Sequence, residues 1–340
     1  EFRRVLFRSF FVKKGIIYIY RCVCNNMGTN TRGENIKMRI KKKYKRVMKY
    51  YQLYLLLLPA LIYFIIFRYG PMYGLQIAFK DYVATKGFAG SPFVGLKHFQ
   101  RFFSSPDFWI ILKNTVSISV GSILVNFPMA IIVALLLHQV THTRYKKVIQ
   151  TVIYAPHFIS VVVLVGMLTL FLSPTSGIIN KIIETFGGEA VFFMAEPSWF
   201  KPVYILSATW QSTGWGTVIY LAALSGVSPE LYEAAEMDGA NKWQKMWHID
   251  FPGILPTAVI QLILTTGNIL SIGYEKIFLM QNPLNRMASE VISTYEYKQG
   301  LQNAQYSYSA AIGLFNAVIN LVILLAVNKF ARKVSDTSLW

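Results

Sequence analysis

The chain has 340 residues, 54% of them hydrophobic and only 15% charged, which is too apolar for a typical soluble domain and expected of a membrane protein. Its net charge of +18 would suit nucleic acid, but the cations gather beside apolar runs, as they do against an anionic membrane surface, so nucleic acid is not expected as a partner and membrane lipid is. The two cysteines, Cys22 and Cys24, are one residue apart, a spacing that suits neither a disulfide framework nor a zinc site.

The opening EFRRVLFRS lacks a methionine and reads like translated adapter, so residues 1–26 are expected to be a non-native or dispensable leader, with Met27 as the native start. From Arg32 to Lys49 nine lysines or arginines fall within eighteen residues, interleaved with Met38, Ile40, Tyr44 and Val47. Residues 27–49 are therefore expected to be a basic interfacial segment on the cytoplasmic side, by the positive-inside rule. Residues 50–340 are expected to form the transmembrane domain.

A first span is expected at Tyr51–Phe67, near the ~20 residues that cross ~30 Å of hydrocarbon, with Pro59 as a bend. Arg68–Leu112 is aromatic and expected outside. The stretches YGPMYGLQIAFKDY (Tyr69–Tyr82) and FVGLKHFQRFF (Phe93–Phe103) resemble the outer loop of LplB-type carbohydrate permeases, a likeness that extends from about Tyr44 to the C-terminus. That resemblance implies import of oligosaccharides or uronic-acid-containing saccharides, and a heterodimer with a second permease.

Span two, Lys113–Leu137, carries Thr115, Ser119, Ser122 and Asn126 at helical spacing, a stripe that should face protein or water. Arg144, Lys146 and Lys147 mark a return to the cytoplasm before span three, Val148–Leu172, which encloses Pro156 and His157. His157 is expected to be a hydrogen-bonded interior histidine at a proline kink, with a proton-relay or ligand role as the lesser alternative. Ser173–Lys201 is expected to be a short external loop, and span four to run from Pro202 to Leu224. Within it Gln211 and Trp215 share a face, and Gly214 and Gly216 permit close helix approach.

The segment SPELYEAAEMDGANKWQKMWHIDFPGILP, 228–256, is polar and well punctuated between apolar runs. Ser228 should cap a helix that begins at Pro229 and ends at Gly239, and Asn241 with Gln244 should form a capping box for a second helix. Pro252 and Pro256 should turn the chain into the next run. Glu233-Ala234-Ala235, Asp238-Gly239-Ala240, then Ile249, Phe251 and Pro252 resemble the EAA loop of ABC importer permeases, with Phe251 in place of the usual leucine. The resemblance implies an all-α type I importer permease whose loop sits in a cleft of a separate ABC ATPase. Glu233 would be the polar contact, Ala234 and Ala235 the close-packing surface, and Gly239 the turn.

Span five begins near Ile254, with Gln261, Thr265 and Asn268 on one face, and span six, Ser309–Val327, repeats the pattern with Gly313, Asn316 and Asn320. Unpaired amides are costly in hydrocarbon, so both stripes should turn inward. Tyr274–Tyr308 is expected outside, and Lys329, Arg332 and Lys333 place the C-terminus inside, which makes six transmembrane helices with both termini cytoplasmic.

No GxxxxGK[ST] phosphate loop occurs in the sequence, so ATP and magnesium are expected on a partner ATPase and no cofactor on this chain. Sugars pair amide hydrogen bonds with aromatic faces, which makes Trp210, Gln211, Trp215, Asn268 and Asn316 candidates for a substrate path. The same side chains also serve as helix-packing contacts. An external solute-binding protein and the cytoplasmic membrane of a prokaryote follow from the resemblance. The alternatives are an ABC permease for a non-sugar solute, a secondary transporter and a membrane-embedded enzyme. The last two would want intramembrane acids or bases, or clustered acids or histidines at a membrane face, which the spans lack.

Overall fold

The computed structural model describes residues 50–334, so the leader read at 1–26 and the basic segment at 27–49 lie outside the described residues. The described chain is helical, and pairing between extended segments is confined to one bridge, Lys80 with Phe93.

The chain divides after Tyr73. In the first unit the leucine-rich Tyr51–Phe64 forms α1 with Pro59 inside it, followed by a wider π turn at Ile65–Tyr69. Helical geometry continues as a tightened 3₁₀ run to Phe79, which corrects the span end expected at Phe67 and the loop expected from Arg68. Gly70-Pro71 reads as a stop, yet the fixed φ of proline is compatible with a tight helical turn and GPMYGLQIAF is itself apolar.

In the second unit the major helices are α2 Phe108–His138, α3 Thr143–Tyr154, α4 Val161–Phe171 and α5 Pro197–Leu224. There follow α6 Pro229–Met237, α7 Lys242–Lys245, α8 Phe251–Thr266, α9 Tyr274–Met280, α10 Ile292–Tyr297 and α11 Tyr306–Val334. Both α2 and α5 start five residues before the expected span edges. Among the described residues, four runs are long and apolar enough to cross a membrane: Tyr51–Phe79, Phe108–His138, Lys242–Thr266 and Tyr306–Lys333.

The third span is broken instead of continuous. Thr143–Phe158 and Val161–Phe171 meet at 98° and make a fifth crossing only if they act as one span. Pro156 withholds an N–H, Ile159 and Ser160 are extended, and the Ser160 hydroxyl caps α4 by accepting from Val163 N at 3.3 Å. A proline followed by a good cap therefore ends one helix and begins another.

Pro252 and Pro256 likewise do not turn the chain. They lie inside the helical run Lys242–Thr266, just after a π turn at Met246–Asp250, where the ladder is already interrupted.

The helices close around three apolar clusters. One, with Ala134, Leu135, Tyr220, Leu224, Met246 and Ile254, joins α2, α5 and the base of α8. A second, around Phe102, Phe108, Leu270, Tyr295 and Ile312, joins the start of α2 to α10 and α11, and a third, around Ile118, Phe200, Ile277 and Val291, joins α2 and α5 to α9.

The expected close approach on α5 is present: a side chain at Gly214 would collide with the Ile153 carbonyl, and one at Gly216 would stand 3.1 Å from Ala130 Cβ. The stripe on α2 also faces protein. Thr115 is fully buried and accepts from Ile292 N at 3.0 Å, the Ser119 hydroxyl bonds the Ile269 carbonyl, and Asn126 accepts from Thr209.

Candidate coupling loop and transport path

The loop after α5 is built much as its sequence spacing requires. Pro229 takes the first position of α6, and Gly239 has φ +76°, the left-handed conformation that only glycine adopts without strain. Ala240 N donates to Ala235 O at 2.8 Å and Gly239 N to Glu236 O at 3.0 Å, the paired bonds of a Schellman turn. Asn241 and Gln244 form the reciprocal capping box, with bonds of 2.7 and 2.9 Å. Ser228 differs from expectation: it is extended ahead of α6 but its side chain caps nothing.

Glu233 and Ala234 are exposed and Ala235 half-buried, so α6 offers a polar contact beside a small-residue face. Asp238 ends the helix in the open; Ile249 is half-buried in the π turn, and Pro252 is exposed. Glu236 pairs with Lys245 at 2.7 Å, an ion pair that ties α6 to α7 and holds the Glu236 carboxyl below its ordinary range. No residue of α6 is buried. Its packing alone holds it weakly.

What it does reach is Asp250, which the motif spacing does not single out. Asp250 is fully buried at the end of the π turn. Its carboxylate accepts from the Tyr232 hydroxyl at 2.5 Å and from Gln139 Nε2 at 2.6 Å, with His138 Nε2 at 3.7 Å. The His138 ring also stands 3.3 Å from the Tyr232 oxygen, and because the hydroxyl proton goes to Asp250, the imidazole N–H is the donor there. Burial, then the hydrogen bond and negative charge of Asp250, push the Tyr232 hydroxyl up, so it remains a donor. A sequence signal existed: Asp250 is a lone acid between Ile249 and Phe251, and a charge in an apolar stretch requires partners.

The path candidates fall into separate settings. Gln211 Nε2 donates to the Ile159 carbonyl at 2.9 Å, satisfying a backbone group that the break between α3 and α4 leaves open. Trp215 stacks on His157, with centroids 4.7 Å apart and planes 3° apart, beside the same break. His157 is therefore not the interior hydrogen-bonded histidine expected; it is exposed and held by its ring face. Trp210 is half exposed. Asn268, exposed just past the end of α8, turns its side chain back to donate to the Leu264 carbonyl at 3.2 Å, and Asn316 accepts from Asn320 at 3.4 Å. Gln211, Trp215 and His157 thus gather at one break, and the other candidates do not join them. Asn320 mends a second break, bonding Leu270 N at 3.0 Å and Ser271 Oγ at 2.8 Å where the chain leaves α8.

Residues 126–336 match the family described as binding-protein-dependent transport system inner membrane component. The chain is 44% identical over 306 residues, 88% of its own length and 95% of the relative's, to the polygalacturonan/rhamnogalacturonan transport system permease protein YteP of Bacillus subtilis (strain 168). It is 43% identical to protein LplB of the same organism over 288 residues, covering 85% of this chain and 91% of the other. Among solved structures it resembles a chain of a bacterial alginate ABC transporter in complex with an alginate pentasaccharide-bound periplasmic protein, with a TM-score of 0.80, 41% identity, and coverage of 87% of this chain and 99% of that one.

Proposed function

The chain belongs to the family of binding-protein-dependent transport system inner membrane components, and on that premise we propose that it is the permease subunit of an ABC importer that carries an oligosaccharide or a uronic-acid-containing saccharide. The observation that carries the reading is its 44% identity, across nearly the full length of the relative, to a polygalacturonan/rhamnogalacturonan permease. A family member of this kind transports and does not catalyse. ATP and magnesium belong to a separate ATPase.

In this reading α6 docks in the ATPase through Glu233, Ala234 and Ala235, with Asp238 and Gly239 shaping the turn and Ile249 and Pro252 leading into α8. The exposure of Glu233 and Ala234 and the left-handed Gly239 support it. Six spans follow if the bent pair is one crossing and α5, 28 residues long but diluted by Trp210, Gln211 and Thr213, is another. Both termini then lie in the cytoplasm of a prokaryote, the coupling loop with them, and an external binding protein delivers the saccharide. A second, related permease completes a heterodimer. Trp210, Gln211, Trp215, Asn268 and Asn316 remain the proposed contacts of the path, with His157 added to Trp215 as an aromatic platform.

The test is to tag the chain in its host, purify it in mild detergent and identify what accompanies it. Recovery of an ATPase and a second permease, followed by uptake of labelled oligogalacturonate into proteoliposomes only when binding protein and ATP are present, is the expected result. A chain that purifies alone and moves no saccharide would overturn the reading.

A further inference from the structure

We propose that Asp250 is a positioning residue for energy coupling: its buried carboxylate is a latch that fastens the docking helix α6, through the Tyr232 hydroxyl, to the ends of α2 and α8. The proposal rests on the docking role of α6 given above. Three structural facts carry it. The carboxylate is fully buried, and its donors come from two other segments: Tyr232 on α6 at 2.5 Å and Gln139 at the end of α2 at 2.6 Å. Tyr232 immediately precedes Glu233, the residue proposed to meet the ATPase. Finally, no residue of α6 is buried, so little else ties its body to the helices it would have to move.

A buried carboxylate is a poor way to gain stability, because desolvating a charge offsets much of what its partners return. It is a good way to define position. Apolar contacts can slide, whereas a charge-assisted hydrogen bond weakens steeply with distance and angle. A push on Glu233 is delivered one residue away to Tyr232. From there it passes to Asp250, where the π turn leads directly into α8, and to Gln139 and His138, where α2 ends. One displacement thus reaches two membrane helices at once. The other ion pair of α6, Glu236 to Lys245, meets the helical run Lys242–Thr266 only in its first turn, before the π turn, through a Glu236 side chain that is largely exposed, so it engages neither α2 nor the start of α8.

The test uses Y232F, which removes one hydroxyl, together with D250A and the double variant, each in the complete reconstituted complex. Two quantities are read: saccharide imported per ATP hydrolysed, and the apparent Tm of the purified complex. Y232F should still recruit the ATPase and hydrolyse ATP, but its import per ATP should fall about tenfold, the scale of losing one hydrogen bond to a charged group. The double variant should resemble D250A alone in both readouts, because the two residues act through one contact.

Unchanged import per ATP in Y232F, or effects that add in the double variant, would overturn the latch. If D250A fails to assemble, Y232F alone decides the matter. If the wild-type complex imports no saccharide, the proposed function fails, while the Tm cycle still reads whether Tyr232 and Asp250 are coupled.

Discussion

At the scale of single residues, the coupling loop depends on one backbone angle. Gly239 has φ +76°, and a β-branched side chain there is strained by Cβ contact with the following carbonyl, whatever room surrounds it. Nothing lies within 4 Å of where that Cβ would stand, so the cost is conformational and not steric crowding by neighbours. Gly239→Val should therefore retain assembly and ATP hydrolysis but lose import, measured side by side in proteoliposomes; normal uptake would remove Gly239 from the coupling role. Gln211 makes a contrasting case. Because its amide satisfies the Ile159 carbonyl at the helix break, Gln211→Ala leaves a backbone acceptor unpaired and should destabilise the chain by about 1–3 kcal/mol. A lowered apparent Tm with an unaltered half-saturating saccharide concentration assigns it to packing; the reverse pattern assigns it to the path. The spacing of Glu233, Gly239, Asn241 and Gln244 was legible because turns and caps are local, set within five residues. The partners of Asp250 were not, since Gln139 lies 111 positions away in sequence.

At the scale of elements, proline and polar side chains behave according to what packs on them. Pro156 ends a helix because Ser160 stands ready to cap the next, whereas Pro252 and Pro256 remain within a helical run because a π turn precedes them. The period of apolar residues cannot distinguish these cases, and it predicts a proline kink where the third span in fact breaks. The segment between α9 and α11 carries an element-level prediction. On α10, burial against Gly313 of α11 pushes the Glu296 carboxyl up from 4.5 to about 7. The native state then holds a proton that the unfolded chain releases, so stability from this group is full at low pH and is lost as pH rises from about 4.5 through about 7. Glu296→Gln, neutral throughout, should flatten the fall in apparent Tm over that range; parallel pH profiles for the two proteins would exclude Glu296 as its source.

Across the whole molecule, composition and motif spacing alone establish that the chain is a helical membrane protein, that its polar loop at 228–256 is a capped pair of helices, and which family it resembles. Composition and short-range periodicity suffice for these, because in lipid each helix must satisfy its own backbone and each turn must be built from its own few residues. Even so, the polar residues misplace the edges of the spans: α2 and α5 start earlier than those residues suggest, since Lys113 stays exposed on α2 and Lys201 donates to Ser117 of α2 at 2.7 Å. Long-range packing sets the rest: the third span is bent through 98°, Gln211 and Asn320 mend two helix breaks, and Tyr232, Asp250 and Gln139 meet. Those facts depend on which distant donor finds which distant acceptor. A single chain read along its length carries the chemistry of each group, but the partner of a buried polar atom is chosen by packing.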